Sequence, residues 1–336
     1  MMFSFIVPIY RVPEKDLRQC IESLINQDMD KYEIILIDDG SPDKCGEICD
    51  EYKHMSEKIT VIHKENEGVS VARNVGIEHS KGKYIIFVDG DDCIFTNSLG
   101  KIAKILEKSS ADISLFKYST TSYIERKKTS GKVSKIENKQ DVKRGIIAME
   151  ELYEDVCLGS PWAKIFRRDF IKANNISYVP GIVKAQDRVF MLTCLKYQCS
   201  LQLVDYMFYF YNTGNGSSVC QKYNEKIFEN LLKTGAKIEE IIDGENFSDD
   251  IDKMYLQFLK EVIWINVLHK DNPKSISENV AYLTNVAENS RMQQALTVCD
   301  KMQQGKFAKV FYGLIRKKKY RSIVLIGKLT MFFIKH

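Results

Sequence analysis

Two periods of hydrophobicity alternate along the first 120 residues. Short apolar runs at Phe3–Ile9, with Pro8 marking its end, Glu33–Ile37, Lys58–His63 and Lys83–Val88 read as strands, and the last, β-branched, aromatic and stopped by Gly90, as one buried on both faces. Between the first two, Leu17, Cys20, Ile21, Leu24 and Ile25 recur at i, i+3, i+4, i+7 and i+8, the stripe of an amphipathic helix. Further helices are predicted from a cap at Ser41 through about His54, and from Gly68 to His79. Strands alternating with helices through residue 118 predict βαβ units and a mostly parallel, Rossmann-like central sheet flanked by helices. In such sheets ligands bind outside the carboxyl ends of the strands. Three of those ends are polar: Pro8-Ile9-Tyr10, Asp38-Asp39 and Asp89-Gly90-Asp91-Asp92.

From Ser119 to Lys143 the periodicity disappears and Ser, Thr and Lys dominate, which predicts a mobile excursion. Structure is expected to resume at Ile146–Tyr153 and Trp162–Phe166. A helix follows over Arg188–Tyr197, opened by Asp187, and then an aromatic strand over Leu201–Tyr211. Helical patterns take over after Lys222, with Pro273 the one proline. The expected organisation is a catalytic domain over 1–222, with halves 1–118 and 119–222, and a helical region over 223–336.

Charge changes the picture at the C-terminus. The net charge is +4, yet residues 301–336 hold ten Lys or Arg and no Asp or Glu, leaving the first 300 residues at −6. Phe307, Val310, Phe311, Leu314 and Ile315 share a helical face, followed by Arg316-Lys317-Lys318-Lys319 and Arg321. This pattern predicts an interfacial anchor on an anionic membrane surface; the competing reading is a C-terminal helix that closes the core and leaves its basic end in water. Nucleic acid is disfavoured as a partner because the body of the chain is acidic. No apolar run reaches the roughly 18 residues of a membrane span. The nine cysteines are scattered without a C-x-x-C pair, and no basic segment with a cleavable apolar run opens the chain. The expectation is a cytoplasmic protein with reduced thiols, peripheral to the inner face of the cell membrane.

The chemistry is most concentrated after the fourth strand. Asp89, Asp91 and Asp92 crowd like charges, a situation that a hard divalent cation relieves. An acidic turn is the simpler alternative, and Asp92 could cap a helix starting near Thr96. Arg73, on the helix after Gly68, is placed to pair with phosphate oxygens, or else lies on a solvated helix face.

Four segments occur in order: Ile6-Val7-Pro8-Ile9-Tyr10, Ile37-Asp38-Asp39-Gly40-Ser41, Asn66-Glu67-Gly68-Val69-Ser70-Val71-Ala72-Arg73-Asn74-Val75-Gly76, and Phe87-Val88-Asp89-Gly90-Asp91-Asp92. Over roughly residues 1–220 the chain resembles the family 2 glycosyltransferases of GT-A fold. The resemblance implies a nucleotide-sugar donor, usually a UDP-sugar, with Mn²⁺ or Mg²⁺ and transfer with inversion. It implies a saccharide or lipid-linked saccharide acceptor, as in the building of a surface polysaccharide. It places Pro8 and Tyr10 along the uracil, Asp38 or Asp39 on uracil or ribose, Asn66 and Arg73 in the donor site, Asp89 near the ribose and Asp91 on the metal.

The same resemblance assigns the general base to Asp187 in Gln186-Asp187-Arg188-Val189-Phe190, where the family usually has Glu before the Asp. As a helix N-cap, Asp187 would have an ordinary structural use as well. Trp162-Ala163-Lys164-Ile165-Phe166 resembles the segment bordering the acceptor, so Trp162, Lys164, Gln186 and Asp92 are candidates for acceptor or supporting contacts. An arginine frequent after the aromatic strand is replaced by Asn212, with Ser217 or backbone N–H groups of the loop that follows as candidate substitutes at the diphosphate. Two other classes compete: a nucleotidyltransferase, and a catalytically silent nucleotide-sugar-binding scaffold.

Overall fold

The computed structural model describes residues 1–121, 129–214, 222–299 and 306–334. The chain divides into two compact units, residues 1–146 with 150–214, and 147–149 with 215–336. In the first unit β1 (Phe3–Ile9), β2 (Tyr32–Asp38), β3 (Ile59–His63) and β4 (Tyr84–Phe87) are linked by α1 (Glu14–Ile25), α2 (Cys45–Met55) and α3 (Val69–His79). There follow β5 (Cys93–Ile94), α4 (Leu99–Glu107), β6 (Ile113–Ser119), β7 (Val133–Ile136), α5 (Lys139–Ala148), β8 (Lys164–Arg167), α6 (Arg168–Ala173), α7 (Gln186–Lys196) and β9 (Leu201–Phe210). The sheet order is β3-β2-β1-β4-β8-β6-β9-β5, with β7 also paired to β9. Pairing is parallel from β3 through β4 and between β6 and β9, while β8, β5 and β7 run antiparallel to their neighbours.

β1, β2 and β4 form because their side chains are covered on both faces, whereas the edge strand β3 is only partly buried. On one face Phe3, Phe5, Val7 and Ile9 pack with Leu17, Cys20, Ile21 and Leu24 of α1, all essentially inaccessible to water. Full burial of each large aliphatic is worth about 2 kcal/mol. The other face takes α3 at close range: a Cβ on Gly76 would lie 2.2 Å from Ile6 Cγ2. Pro8 lies inside β1 rather than at its end. Its nitrogen falls on the β4 side, where the ladder has already stopped at Ile6–Phe87, so no hydrogen bond is lost.

Several local expectations are corrected. Residues 119–143 include β7, which pairs Val133–Ile136 with Val204–Leu201, and the start of α5. Structure resumes earlier than the expected Ile146–Tyr153, with α5 running from Lys139 to Ala148. Ser41 does not cap α2, which starts at Cys45; its N–H donates to Asp38 Oδ1 at 3.0 Å. Asp92 does not cap α4, which starts at Leu99, because its carboxylate is bonded elsewhere.

The second unit is helical, as expected: α8 (Ile227–Ile241), α9 (Ser248–Val262) running into a π-helical turn (Ile263–Val267), α10 (Ile276–Glu288), α11 (Ser290–Val298), α12 (Lys306–Arg316) and α13 (Tyr320–Ile334). Ser275 and Glu278 form a capping box at the start of α10. The anchor expectation for α12 is corrected in part. Phe311 and Ile315 are buried, and Tyr312 donates its hydroxyl to the Leu256 carbonyl at 2.9 Å, so this face closes the helical core. Arg316 to Lys319 and Arg321 stay exposed. Among the described residues no helix is long and apolar enough to cross a membrane.

Candidate active site

The end of β2 organises the first wall. Asp38 accepts from Ser41 N and meets His63 Nδ1 at 3.0 Å, while His63 Nε2 lies 3.3 Å from Asp50. These carboxylates raise the His63 pKa above its usual value, Asp38 first through its hydrogen bond. Asp39 is the anchor of the loop before α3. Its carboxylate takes Lys64 Nζ at 2.7 Å, Gly68 N at 2.8 Å, Glu67 N at 3.1 Å and Asn66 Nδ2 at 3.3 Å. Asn66 also donates to the Asp39 carbonyl at 2.8 Å. Glu67 pairs with Lys64 at 2.9 Å, which accounts for an acid at this position. Gly40, at φ +66°, is needed because a Cβ there would lie 2.7 Å from Asn66 N. Asp38, Asp39 and Asn66 are thus brought together, with side chains spent largely on shaping the loop. Pro8 is buried in β1, whereas Tyr10 is 42% exposed at its end beneath the Arg11 guanidinium, 5.3 Å away.

The three carboxylates after β4 have separate environments. Asp89 accepts from Arg73 Nη2 at 2.8 Å. Asp92 is fully buried, taking the Tyr209 hydroxyl at 2.6 Å and the Asn212 N–H at 2.8 Å. Asn212 also donates to the Asp91 carbonyl at 3.2 Å, tying the turn to the end of β9. The Asp91 carboxylate has no hydrogen bond or ion pair among the described residues. Burial and then the Asp89 charge push its pKa up to about 6.

The base candidate is held from the side. Arg73, 3% exposed, donates Nη1 to Asp187 Oδ1 at 2.5 Å and Nη2 to Asp89, with its guanidinium 5.1 Å from the Tyr178 ring centre. Arg73 therefore bridges two carboxylates instead of waiting for phosphate. Asp187 is the second residue of α7, and no side chain caps that helix. Burial raises the Asp187 pKa; Arg73 opposes this rise and Asp89 adds to it. Phe190, one turn on, stacks on Tyr178 at 4.2 Å and meets Phe87 and Phe166 edge-on, fixing the start of α7 against the sheet. The Asp187-x-x-Phe190 spacing thus joins a chemical residue to its packing anchor on one helix face.

Trp162 is 9% exposed and lies parallel to both Tyr209 and Tyr211 at 5.2 Å, so its indole is committed to the aromatic core beside the turn. Lys164 is 1% exposed and donates to the Cys157 carbonyl. Gln186 opens α7. Ser217 lies outside the described residues. Tyr178, Tyr209 and His63 have no sequence signal for their roles, since each meets its partner from a distant segment. Asn212 had one signal: it stands where an arginine was expected.

Among the described residues no group of three or more His, Cys, Asp or Glu could hold a metal by itself. The donor set still fits a hard cation bound partly through a ligand. Asp91 offers an unpartnered, strained carboxylate, and Mg²⁺-type sites often use one or two carboxylates together with substrate phosphates.

Comparison with known proteins identifies the family. Residues 4–174 match the family described as glycosyl transferase family 2. The glycosyltransferase EpsJ of Bacillus subtilis strain 168 is 31% identical over 238 residues, covering 69% of this chain and 67% of EpsJ. A poly(ribitol-phosphate) beta-glucosyltransferase of Bacillus spizizenii is 30% identical over 66% of this chain and 34% of its own length. The structure of S. aureus TarS 1–349 in complex with UDP-GlcNAc superposes with TM-score 0.63 at 21% identity, covering 96% of this chain and 90% of that one. With a GT-A sheet whose carboxyl edge gathers Asp38, Asp39, Arg73, Asp89, Asp91 and Asp187, the chain belongs to glycosyl transferase family 2 and is a glycosyltransferase.

Proposed function

We propose that this glycosyltransferase moves a hexosyl or N-acetylhexosaminyl group from a UDP-sugar to a hydroxyl of a saccharide or lipid-linked saccharide, with inversion. The observation that carries the reading is the division of labour on Asp187. Arg73 holds Oδ1, while Oδ2 has no hydrogen bond among the described residues and is left for the acceptor. In the reaction Oδ2 takes the proton of the acceptor hydroxyl, whose oxygen attacks the anomeric carbon from the face opposite the diphosphate. The anomeric C–O bond breaks, and its electron pair leaves with UDP. Asp91 would hold a Mn²⁺ or Mg²⁺ ion, which when bound supplies positive charge to the leaving diphosphate. Tyr10, exposed at the end of β1, is placed to line the base of the nucleotide. TarS with UDP-GlcNAc and the poly(ribitol-phosphate) glucosyltransferase support a UDP donor and a surface-polymer acceptor. UDP release from a panel of UDP-sugars with Mn²⁺ tests this reading. Turnover that disappears in Asp187→Asn with UDP still bound is expected; full transfer activity in that variant would sink the base assignment.

A second proposal concerns location. Arg316 to Lys319 and Arg321 are exposed between α12 and α13, with Leu325 and Ile326 each 41% exposed on the helix that follows. This cluster fits electrostatic attachment to an anionic membrane at roughly 1 kcal/mol per basic residue. Sedimentation with phosphatidylglycerol vesicles, but not with phosphatidylcholine vesicles, is expected, and it should fall when Lys317, Lys318 and Lys319 are changed to Glu.

A further inference from the structure

A lysine is among the least expected side chains to find 1% exposed in a sheet, because desolvating its ammonium costs several kcal/mol unless the charge is compensated. Lys164 has one hydrogen-bond acceptor among the described residues, the Cys157 carbonyl, which does not account for a full charge. Its position does. β8 runs antiparallel to β4 with Tyr84 opposite Arg167 and Ile85 opposite Phe166, so two further steps bring Lys164 level with Phe87 at the carboxyl edge of the sheet. Lys164 shares a face of β8 with Phe166, whose ring meets Phe190 of α7 at 5.7 Å, and Asp187 stands one turn before Phe190, so ammonium and carboxylate lie on the same side of the sheet. The balance of charge points the same way. Arg73 carries one positive charge against the two carboxylates that it bridges, which leaves one negative charge to be balanced by another cation.

We propose that Lys164 is a positioning residue for the base, a second buried cation that keeps Asp187 ionised for proton transfer. The inference rests on the assignment of Asp187 as base. The groups acting on Asp187 are Arg73 from α3, Asp89 after β4, Tyr178 before α7 and Lys164 from β8; Cys157 and Asp187 act on Lys164. Burial lowers the Lys164 pKa to about 8, so the ammonium is mostly charged at pH values below that. Removing that charge raises the Asp187 pKa, and the acid limb of the pH profile moves to higher pH.

The experiment is the pH dependence of kcat/KM for wild type, Lys164→Met and Lys164→Arg, with thermal unfolding and UDP binding confirming that each variant is folded. The acid-limb midpoint is expected to rise by about one pH unit in Lys164→Met and to return toward wild type in Lys164→Arg. An unmoved midpoint in folded Lys164→Met overturns the proposal. Should Lys164→Met fail to fold, ¹³C NMR titration of Lys164 replaces it. Its midpoint is expected to fall in Asp187→Asn, where the facing charge is gone, and equal midpoints in the two proteins overturn the proposal. Asp187→Asn also separates the two assignments. Transfer retained there removes the base itself, whereas transfer lost with the Lys164→Met limb unmoved removes only the role of Lys164.

Discussion

The Arg73 guanidinium spans Asp187 and Asp89, 2.5 Å from one carboxylate and 2.8 Å from the other, and so couples the start of α7 to the loop that leaves β4. The two acids are 98 positions apart in sequence, and a single forked cation sets the distance between the base candidate and the loop after β4.

Removing that fork should cost both stability and turnover. Arg73→Met leaves two partly buried carboxylates facing each other, with an expected destabilisation of about 3 kcal/mol and a fall in kcat of more than tenfold. Arg73→Lys restores the charge but not the two-armed geometry, and should recover stability better than kcat. Urea unfolding and steady-state kinetics check both.

Asp187→Asn should reduce kcat by roughly 10²–10⁴-fold, the usual worth of a positioned proton acceptor, and leave UDP affinity within a few-fold of wild type. The wild-type pH profile has a defined sign. Asp187 works as the carboxylate and its pKa is raised by burial, so kcat/KM is full above that pKa and declines as pH falls through it. A profile flat down to the ordinary carboxylate range would contradict this.

If Asp91 holds a divalent cation beside the donor, chelation should weaken UDP binding. In Asp91→Asn, UDP affinity should be low and insensitive to Mn²⁺, as read by titration calorimetry. The same variant should not lower Tm, because the native carboxylate has no partner to lose and is disfavoured by burial and by Asp89.

Tyr209→Phe should destabilise the protein by about 1–3 kcal/mol, since it strips a hydrogen bond from the fully buried Asp92. Asp92→Asn in the same background should restore part of the loss, a coupling that a double-mutant cycle measures. Additive effects would show that the two residues do not act as a pair.

Much of the donor half was legible in the sequence because its signals are local. Each of β1, β2 and β4 is an apolar run whose end carries polar residues, and chain order alone brings parallel strand ends to one edge. β7 was missed because three of its four residues are exposed, so it carries no apolar pattern; pairing with β9 is what makes it a strand. Asp92 read as a helix cap because the sequence does not show Tyr209 and Asn212 approaching from the far end of the chain. The stripe on α12 was correctly seen as apolar, but periodicity cannot say whether such a stripe faces lipid or its own core. Tyr312 on Leu256 decides for the core.

By itself, then, the sequence determined the α/β architecture and the polar strand ends that the fold gathers at one edge of the sheet. These follow from hydrophobic period and turn chemistry, which act over a few residues. The tertiary structure decided which carboxylate does what. Asp39 and Asp92 are consumed by hydrogen bonds that build the loops, Asp89 and Asp187 share Arg73, and Asp91 alone of the three after β4 keeps its carboxylate unpartnered among the described residues. Identical side chains acquire different roles through burial and through partners distant in sequence, and only the folded chain brings those partners within hydrogen-bonding range.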